Sequence, residues 1–174
     1  MLCSGMKATH ESGKLVVLMG VAGVGKTTVG RLLARDLGWR FADADDIHPP
    51  ENLKKMASGV PLTERDRKPW LIAAKYTVNE LRLSGENAVI AFPGLKQSHR
   101  DRVLGGNIHP IIVHLVGDIE LIRARLSSRE GHFFHAGLLQ SQLDLLEHPS
   151  DAFTIDVSLG PAEIVATIRK HLWV

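Results

Sequence analysis

The sequence predicts an α/β fold in which a parallel sheet is covered by helices, and two observations carry that expectation. Strand-sized apolar runs recur at Leu15 to Met19, Arg40 to Ala42, Ala88 to Phe92, Ile111 to Val116 and Phe153 to Val157, with helical patterns between them. Such alternation calls for parallel neighbours joined by crossover helices. The first run leads directly into Gly-Val-Ala-Gly-Val-Gly-Lys-Thr at residues 20 to 27, a full G-x-x-x-x-G-K-[ST] phosphate-binding loop. Active sites of these sheets gather beyond the carboxyl ends of the strands, so the segment after each strand is where chemistry is sought.

In chain order, residues 1–13 read as a disordered leader. The loop then presents Gly20, Val21, Ala22, Gly23, Val24, Gly25, Lys26, Thr27 and Thr28 to the phosphates of a nucleoside triphosphate. Its glycines let consecutive N–H groups face one anion, and the following helix adds the positive end of its dipole. Lys26 reaches the β- and γ-phosphates, and the Thr27 hydroxyl is placed to ligate a bridging Mg²⁺. Val29, Leu32, Leu33 and Leu37 follow at helical spacing, with Gly38 as a stop.

After the second strand comes Asp43-Ala44-Asp45-Asp46-Ile47-His48-Pro49-Pro50. A helix opens near Pro50 to Glu51 and stops at Gly59. Thr63-Glu64-Arg65-Asp66 has the form of a capping box and launches a long helix through Pro69 and Trp70 to about Ser84. The third strand ends in Ala91-Phe92-Pro93-Gly94, ahead of Leu95 to Asp101. Past the fourth strand, Asp118 caps a helix leading to Arg123, Arg125, Arg129 and Gly131-His132-Phe133-Phe134. Arg123 reads as surface charge, and Trp70, Phe133 and Phe134 as core.

The chain of 174 residues is the size of one domain. A net charge of +2 without a dense Lys/Arg cluster gives no reason to invoke nucleic acid. One cysteine, Cys3, suits a reducing cytoplasm, and no signal peptide is recognisable at the start. The apolar runs fall well short of the ~20 residues of a membrane-spanning helix.

Phosphoryl transfer is mostly positioning and charge neutralisation, so acids are expected near the metal and basic groups near the phosphates. If the second strand continues through them, Asp43 and Asp45 share a face. Asp43 is then the candidate for the metal shell, through water, and Asp45 for orienting an acceptor hydroxyl or taking its proton. A solvated turn or helix cap is the plainer reading of the same acids. His48 donates to substrate or fixes its loop. Arg125 and Arg129 approach a place where mobile lids close over phosphates.

The phosphate loop, Asp43 to Pro49, Glu51-Asn52, Lys55-Met56, Gly59 to Leu62, Asp66 to Leu71 and Gly131 to Phe134 together resemble the gluconokinase family. The likeness covers nearly all of the chain after residue 13. It implies a P-loop kinase fold like that of shikimate and nucleoside monophosphate kinases, with three layers, a five-stranded parallel sheet and a mobile lid at about residues 125–137. It implies a single kinase domain over 14–174, usually homodimeric, that uses ATP and Mg²⁺ to phosphorylate D-gluconate at the 6-hydroxyl. By that resemblance Asp45 meets the sugar acid, while His48, Arg67, Lys96 and Arg100 recognise its hydroxyls and carboxylate. Arg125, Arg129 and His132 belong to the lid. A guanidinium fork suits a carboxylate, which favours Arg67 or Arg100 for that group.

The chain departs from the family at Phe92-Pro93-Gly94, where small residues are usual, and at His99, where tyrosine is usual. Phe92 and Pro93 are expected to reshape the acceptor pocket, which keeps open a different sugar acid or a catalytically weak paralogue. A shikimate kinase would carry a glycine run after the third strand. A GTP switch would carry N-K-x-D and D-x-x-G, and neither is present.

Overall fold

The structure is a computed structural model that describes residues 13–106, 109–128 and 135–172. Strands β1 (Leu15–Met19), β2 (Arg40–Asp43), β3 (Ala88–Ala91), β4 (Ile111–Val116) and β5 (Phe153–Asp156) form one sheet in the order β2-β3-β1-β4-β5. Every pairing is parallel. The described residues also form helices α1 (Lys26–Leu37), α2 (Pro50–Ala57), α3 (Glu64–Leu83), α4 (Gln97–Leu104), α5 (Ile119–Ser127), α6 (Leu139–Leu145) and α7 (Pro161–Leu172), with short 3₁₀ turns at Ala44–Ile47 and Ala136–Leu138. From β1 the chain reaches the edge strand β2, returns to β3 and then crosses to β4 and β5 on the other side of β1, so the switch in winding falls beside the end of β1, where the phosphate loop begins.

All five residues of β1 are buried, as the continuous apolar run of a strand covered on both faces requires. Successive side chains feed opposite layers. Val16 and Leu18 join Val29 and Leu33 of α1 and Ile164 and Ile168 of α7. Leu15 and Val17 join Trp70, Ala74 and Val78 of α3 and Val103 of α4. Burying each such side chain contributes about 1.5–3 kcal/mol, so the two faces of β1 anchor the floor of the site.

The expected helix signals are realised. Thr63 Oγ1 accepts from Asp66 N–H at 3.2 Å while Asp66 Oδ2 accepts from Thr63 N–H at 2.9 Å, closing the capping box of α3. Asp118 Oδ1 accepts from the N–H groups of Glu120 and Leu121 at the start of α5. Gly38, at φ +67°, ends α1.

Of the two readings of the acids after β2, the turn or cap is the one realised. The second strand does not run through Asp45, because Asp43 Oδ1 accepts the Asp45 N–H at 3.0 Å and turns the chain into a 3₁₀ helix over Ala44–Ile47. A short carboxylate that takes a backbone N–H two residues on offers the chain a turn in place of the ladder. Asp43 and Asp45 are therefore not two residues of one strand face. Residues 1–12 of the expected leader, together with Arg129, His132, Phe133 and Phe134, lie outside the described residues. No helix among those described is long and apolar enough to cross a membrane.

Candidate active site

The phosphate loop is shaped by close approach of backbones. Gly20 sits at φ +139°, and a Cβ there would lie 2.6 Å from the Leu115 carbonyl oxygen of β4. Gly25, at φ +97°, caps α1 and releases the chain into the helix, whose first bond runs from Val29 N–H to Gly25 O at 2.9 Å. No L side chain adopts that left-handed backbone without strain. Lys26 is buried, and its Nζ donates to the carbonyls of Gly20 and Val21 at 3.0 Å each. Its ammonium thus lies folded across the loop that the sequence assigns to phosphate.

The Thr27 hydroxyl donates to Asp43 Oδ2 at 2.6 Å, which fixes the rotamer of the one and buries the other. Two hard oxygen donors at the mouth of a phosphate loop suit Mg²⁺, an ion held by few protein ligands and completed by phosphates and water. From the far side, Gln142 Oε1 of α6 accepts the Ala22 N–H at 2.6 Å. No spacing in the sequence connects Gln142 to the loop 120 residues earlier.

A cleft of about 770 Å³, its open mouth included, extends from Ala22 and Lys26. Asp45, His48, Arg67, Lys96 and His99 line it, so side chains from three separate stretches of the chain meet there. Trp70 organises the near end. Its Nε1–H donates to Ala44 O at 2.7 Å, and its ring stacks on His48 with centroids 4.5 Å apart and planes 8° from parallel. Burial, with the Arg67 charge second, pushes the His48 pKa down to about 4. The ring is accordingly neutral near pH 7. When its Nδ1 accepts from Asn52 Nδ2, 3.4 Å away, the ring proton sits on Nε2 as a donor. Asn52 is itself held by the Asp66 carbonyl at 2.9 Å.

Two sequence assignments need correction. Arg100 does not line the cleft. It is 4% exposed, its Nη1 donates to Gly94 O at 2.6 Å and to Leu95 O at 3.2 Å, and its Nη2 donates to Gln97 Oε1 at 2.6 Å. A guanidinium spent on the carbonyls of the turn after β3 holds that turn. Phe92 does not face the cleft either. It is fully buried beneath Trp70, with ring centroids 5.6 Å apart, in the core between β3 and α3. Only Pro93 of the unusual triplet's first two residues reaches the cleft, and its carbonyl accepts from Gly20 N–H at 3.3 Å.

Glu64 is the residue sequence reasoning passed over. It reads as the first-turn acid of a capped helix, yet its carboxylate meets Arg67 Nη1 at 3.3 Å, Lys96 Nζ at 3.0 Å and His99 Nε2 at 3.0 Å. The His99 hydrogen bond, followed by that of Lys96, holds its pKa near 2 against the opposing effect of desolvation. Asp66, beyond its cap, takes Lys55 Nζ at 2.7 Å. On the opposite side of the phosphate loop, Arg125 lies in the last turn of α5 and donates to Val157 O at 2.8 Å. There it lines a shallow depression with Gly23, Gly25 and Thr28.

A phosphate loop at the winding switch of a parallel sheet, opening into a cleft that carries a carboxylate, a neutral histidine and two basic side chains, defines a P-loop kinase of small molecules. The family model for shikimate kinase matches residues 22–156. A probable gluconokinase of Rattus norvegicus is 40% identical over 93% of this chain and 99% of its own length. The gluconokinase of Gluconobacter oxydans (strain 621H) is 44% identical over 79% of this chain and 78% of its own. The crystal structure of a gluconokinase from Sinorhizobium meliloti 1021 superposes with a TM-score of 0.75 at 36% identity, covering 93% of this chain and 96% of that one. The chain belongs to the gluconokinase family.

Proposed function

We propose that the protein phosphorylates D-gluconate at the 6-hydroxyl, with ATP as donor, to give 6-phospho-D-gluconate. The observation that carries this reading is the single cleft that joins Lys26 of the phosphate loop to Asp45, His48, Arg67 and Lys96. An anion-binding loop thereby shares one space with a hydroxyl-reading and carboxylate-reading wall. Family membership supports the acceptor.

In the proposed reaction the 6-hydroxyl oxygen bonds to the γ-phosphorus as the bond to the β–γ bridging oxygen breaks, and ADP leaves. Asp45 orients that hydroxyl and receives its proton. Lys26 leaves the Gly20 and Val21 carbonyls for the β- and γ-phosphate oxygens, and the loop amides from Gly20 to Thr28 cradle the rest. His48 donates from Nε2 to an acceptor hydroxyl. Arg67 and Lys96 bind the carboxylate, Arg67 by its fork and Lys96 as a point charge. Thr27 and, through water, Asp43 would hold Mg²⁺, which supplies charge neutralisation on the phosphates. Arg125 serves the nucleotide side, with Arg129 and His132 completing a lid over about residues 125–137. The protein acts in the cytoplasm as a homodimer with one kinase domain over residues 14–174, and its product enters the pentose phosphate route. The composition of the chain supports a reducing compartment.

The weak-paralogue reading loses much of its motive because Phe92 packs beneath Trp70 and not in the cleft, which leaves Pro93 as the departure there. A coupled ADP-release assay across D-gluconate, other aldonic acids, shikimate and nucleoside monophosphates tests the assignment. D-gluconate is expected to give the highest kcat/KM, and preference for another acceptor would overturn it.

A further inference from the structure

The proposed reaction gives Glu64 no part, although the acceptor wall converges on it. Its Oε1 accepts from both Arg67 and Lys96, and its Oε2 pairs with His99. Arg67 lies one turn further along α3, Lys96 immediately precedes α4, and His99 lies in the first turn of α4. One carboxylate thus ties the start of α3 to the start of α4 across the wall of the cleft. Capping does not explain it, since Thr63 and Asp66 already close the N-terminus of α3.

The geometry also leaves room for a substrate. Glu64 occupies one of the five N–H donors of Arg67 and one of the three of Lys96, and both residues line the cleft. The His99 side chain is only 8% exposed while that of Glu64 is 56% exposed, so the histidine is the fixed end of the tie and the carboxylate the end facing solvent. Unrestrained, Arg67 and Lys96 would each lose rotamer freedom on binding an acceptor, and a carboxylate that holds them beforehand reduces that cost.

We propose that Glu64 is a positioning residue for the acceptor: anchored by His99, its carboxylate holds Arg67 and Lys96 ready for the carboxylate of a sugar acid. The assignment rests on the reading of the cleft given above.

Steady-state kinetics of the full chain test it with Glu64→Gln, Glu64→Asp and His99→Gln, the last keeping a neutral hydrogen bond to Glu64. Glu64→Gln keeps the shape and removes the charge. The acceptor KM is expected to rise about tenfold, the low end for charge-assisted bonds because the group is half exposed. The ATP KM should stay within about twofold, a split that general loss of structure would not give. Glu64→Asp, with its charge restored on a shorter stem, should recover part of the loss. His99→Gln should raise the acceptor KM in the same direction by less. An unchanged acceptor KM in Glu64→Gln, or equal rises in both KM values, would overturn the proposal. Should Glu64→Gln fail to fold, Glu64→Asp and His99→Gln are read by the same split.

The wild-type acceptor panel separates the two claims. If another sugar acid is preferred, the gluconate assignment fails there, and the Glu64 ratio is measured on that acid. Turnover of no sugar acid by the wild type would overturn both.

Discussion

The two halves of the candidate site are built by different means. The phosphate half is local: a strand, six residues of loop and the first turn of α1 supply the backbone amides, Lys26 and Thr27. The acceptor half is assembled from afar. The Trp70 bond to Ala44 spans 26 residues, and the Glu64 contacts to Lys96 and His99 span 32 and 35. A loop whose function is carried by backbone N–H groups depends on glycines at fixed spacing, and so writes itself into the sequence as a motif. A wall whose function is carried by side chains from several elements has no such signature.

The largest expected effects lie in the reacting groups of each half. Lys26→Ala should lower kcat by about 10³-fold or more, since it removes charge stabilisation at the transferring phosphoryl group. Asp45→Asn should lower kcat by about 10²–10⁴-fold while leaving nucleotide binding intact, as measured by ATP-analogue titration. Equal loss of nucleotide affinity in both variants would erase the proposed division between the halves.

A smaller effect separates packing from recognition on the acceptor side. Phe92→Ala should destabilise the fold by about 3–5 kcal/mol, as truncation of a fully buried aromatic does. The milder Phe92→Leu is expected to leave the acceptor KM within about twofold. Urea unfolding and acceptor titration read the two quantities separately, and a large change in acceptor KM with little change in stability would return Phe92 to the pocket wall.

The smallest expected effect is one of pH. Burial lowers both His48 and His114, a buried residue of β4, from 6.5 to about 4. The unfolded chain therefore takes up protons that the folded chain refuses as pH falls below 6.5. Their contribution to stability is complete above pH 6.5 and is lost progressively between about 6.5 and 4. Glu64 and Asp66, lowered to about 2, lose theirs only at more acidic pH. The urea midpoint should fall across the histidine window, and His114→Gln, which cannot charge, should flatten the slope. A midpoint that is level between pH 6.5 and 4 would contradict these environments.

The same contrast explains what was legible. Every strand was located to within one residue at its ends, and the capping box of α3 and the Asp118 cap of α5 were read from local spacing. Which reading of Asp43 and Asp45 holds, a shared strand face or a turn or cap, is not legible, because a carboxylate turning back on the second N–H ahead competes with the ladder and leaves no periodicity to show it. Phe92 is placed at the cleft by its position at the end of β3 and Arg100 by the family resemblance, but packing settles both: Phe92 turns into the core, and Arg100, on α4, is buried against the turn after β3. Glu64 escaped notice since its partners lie a helix and a strand away.

The most direct test is to identify the product. Incubated with ATP, Mg²⁺ and D-gluconate, the protein should yield a phosphate monoester whose phosphorus couples to the C6 protons by two-dimensional ³¹P–¹H NMR. Asp45→Asn should form it far more slowly. Phosphorus on another carbon, or ATP consumed with no gluconate ester, would contradict the account.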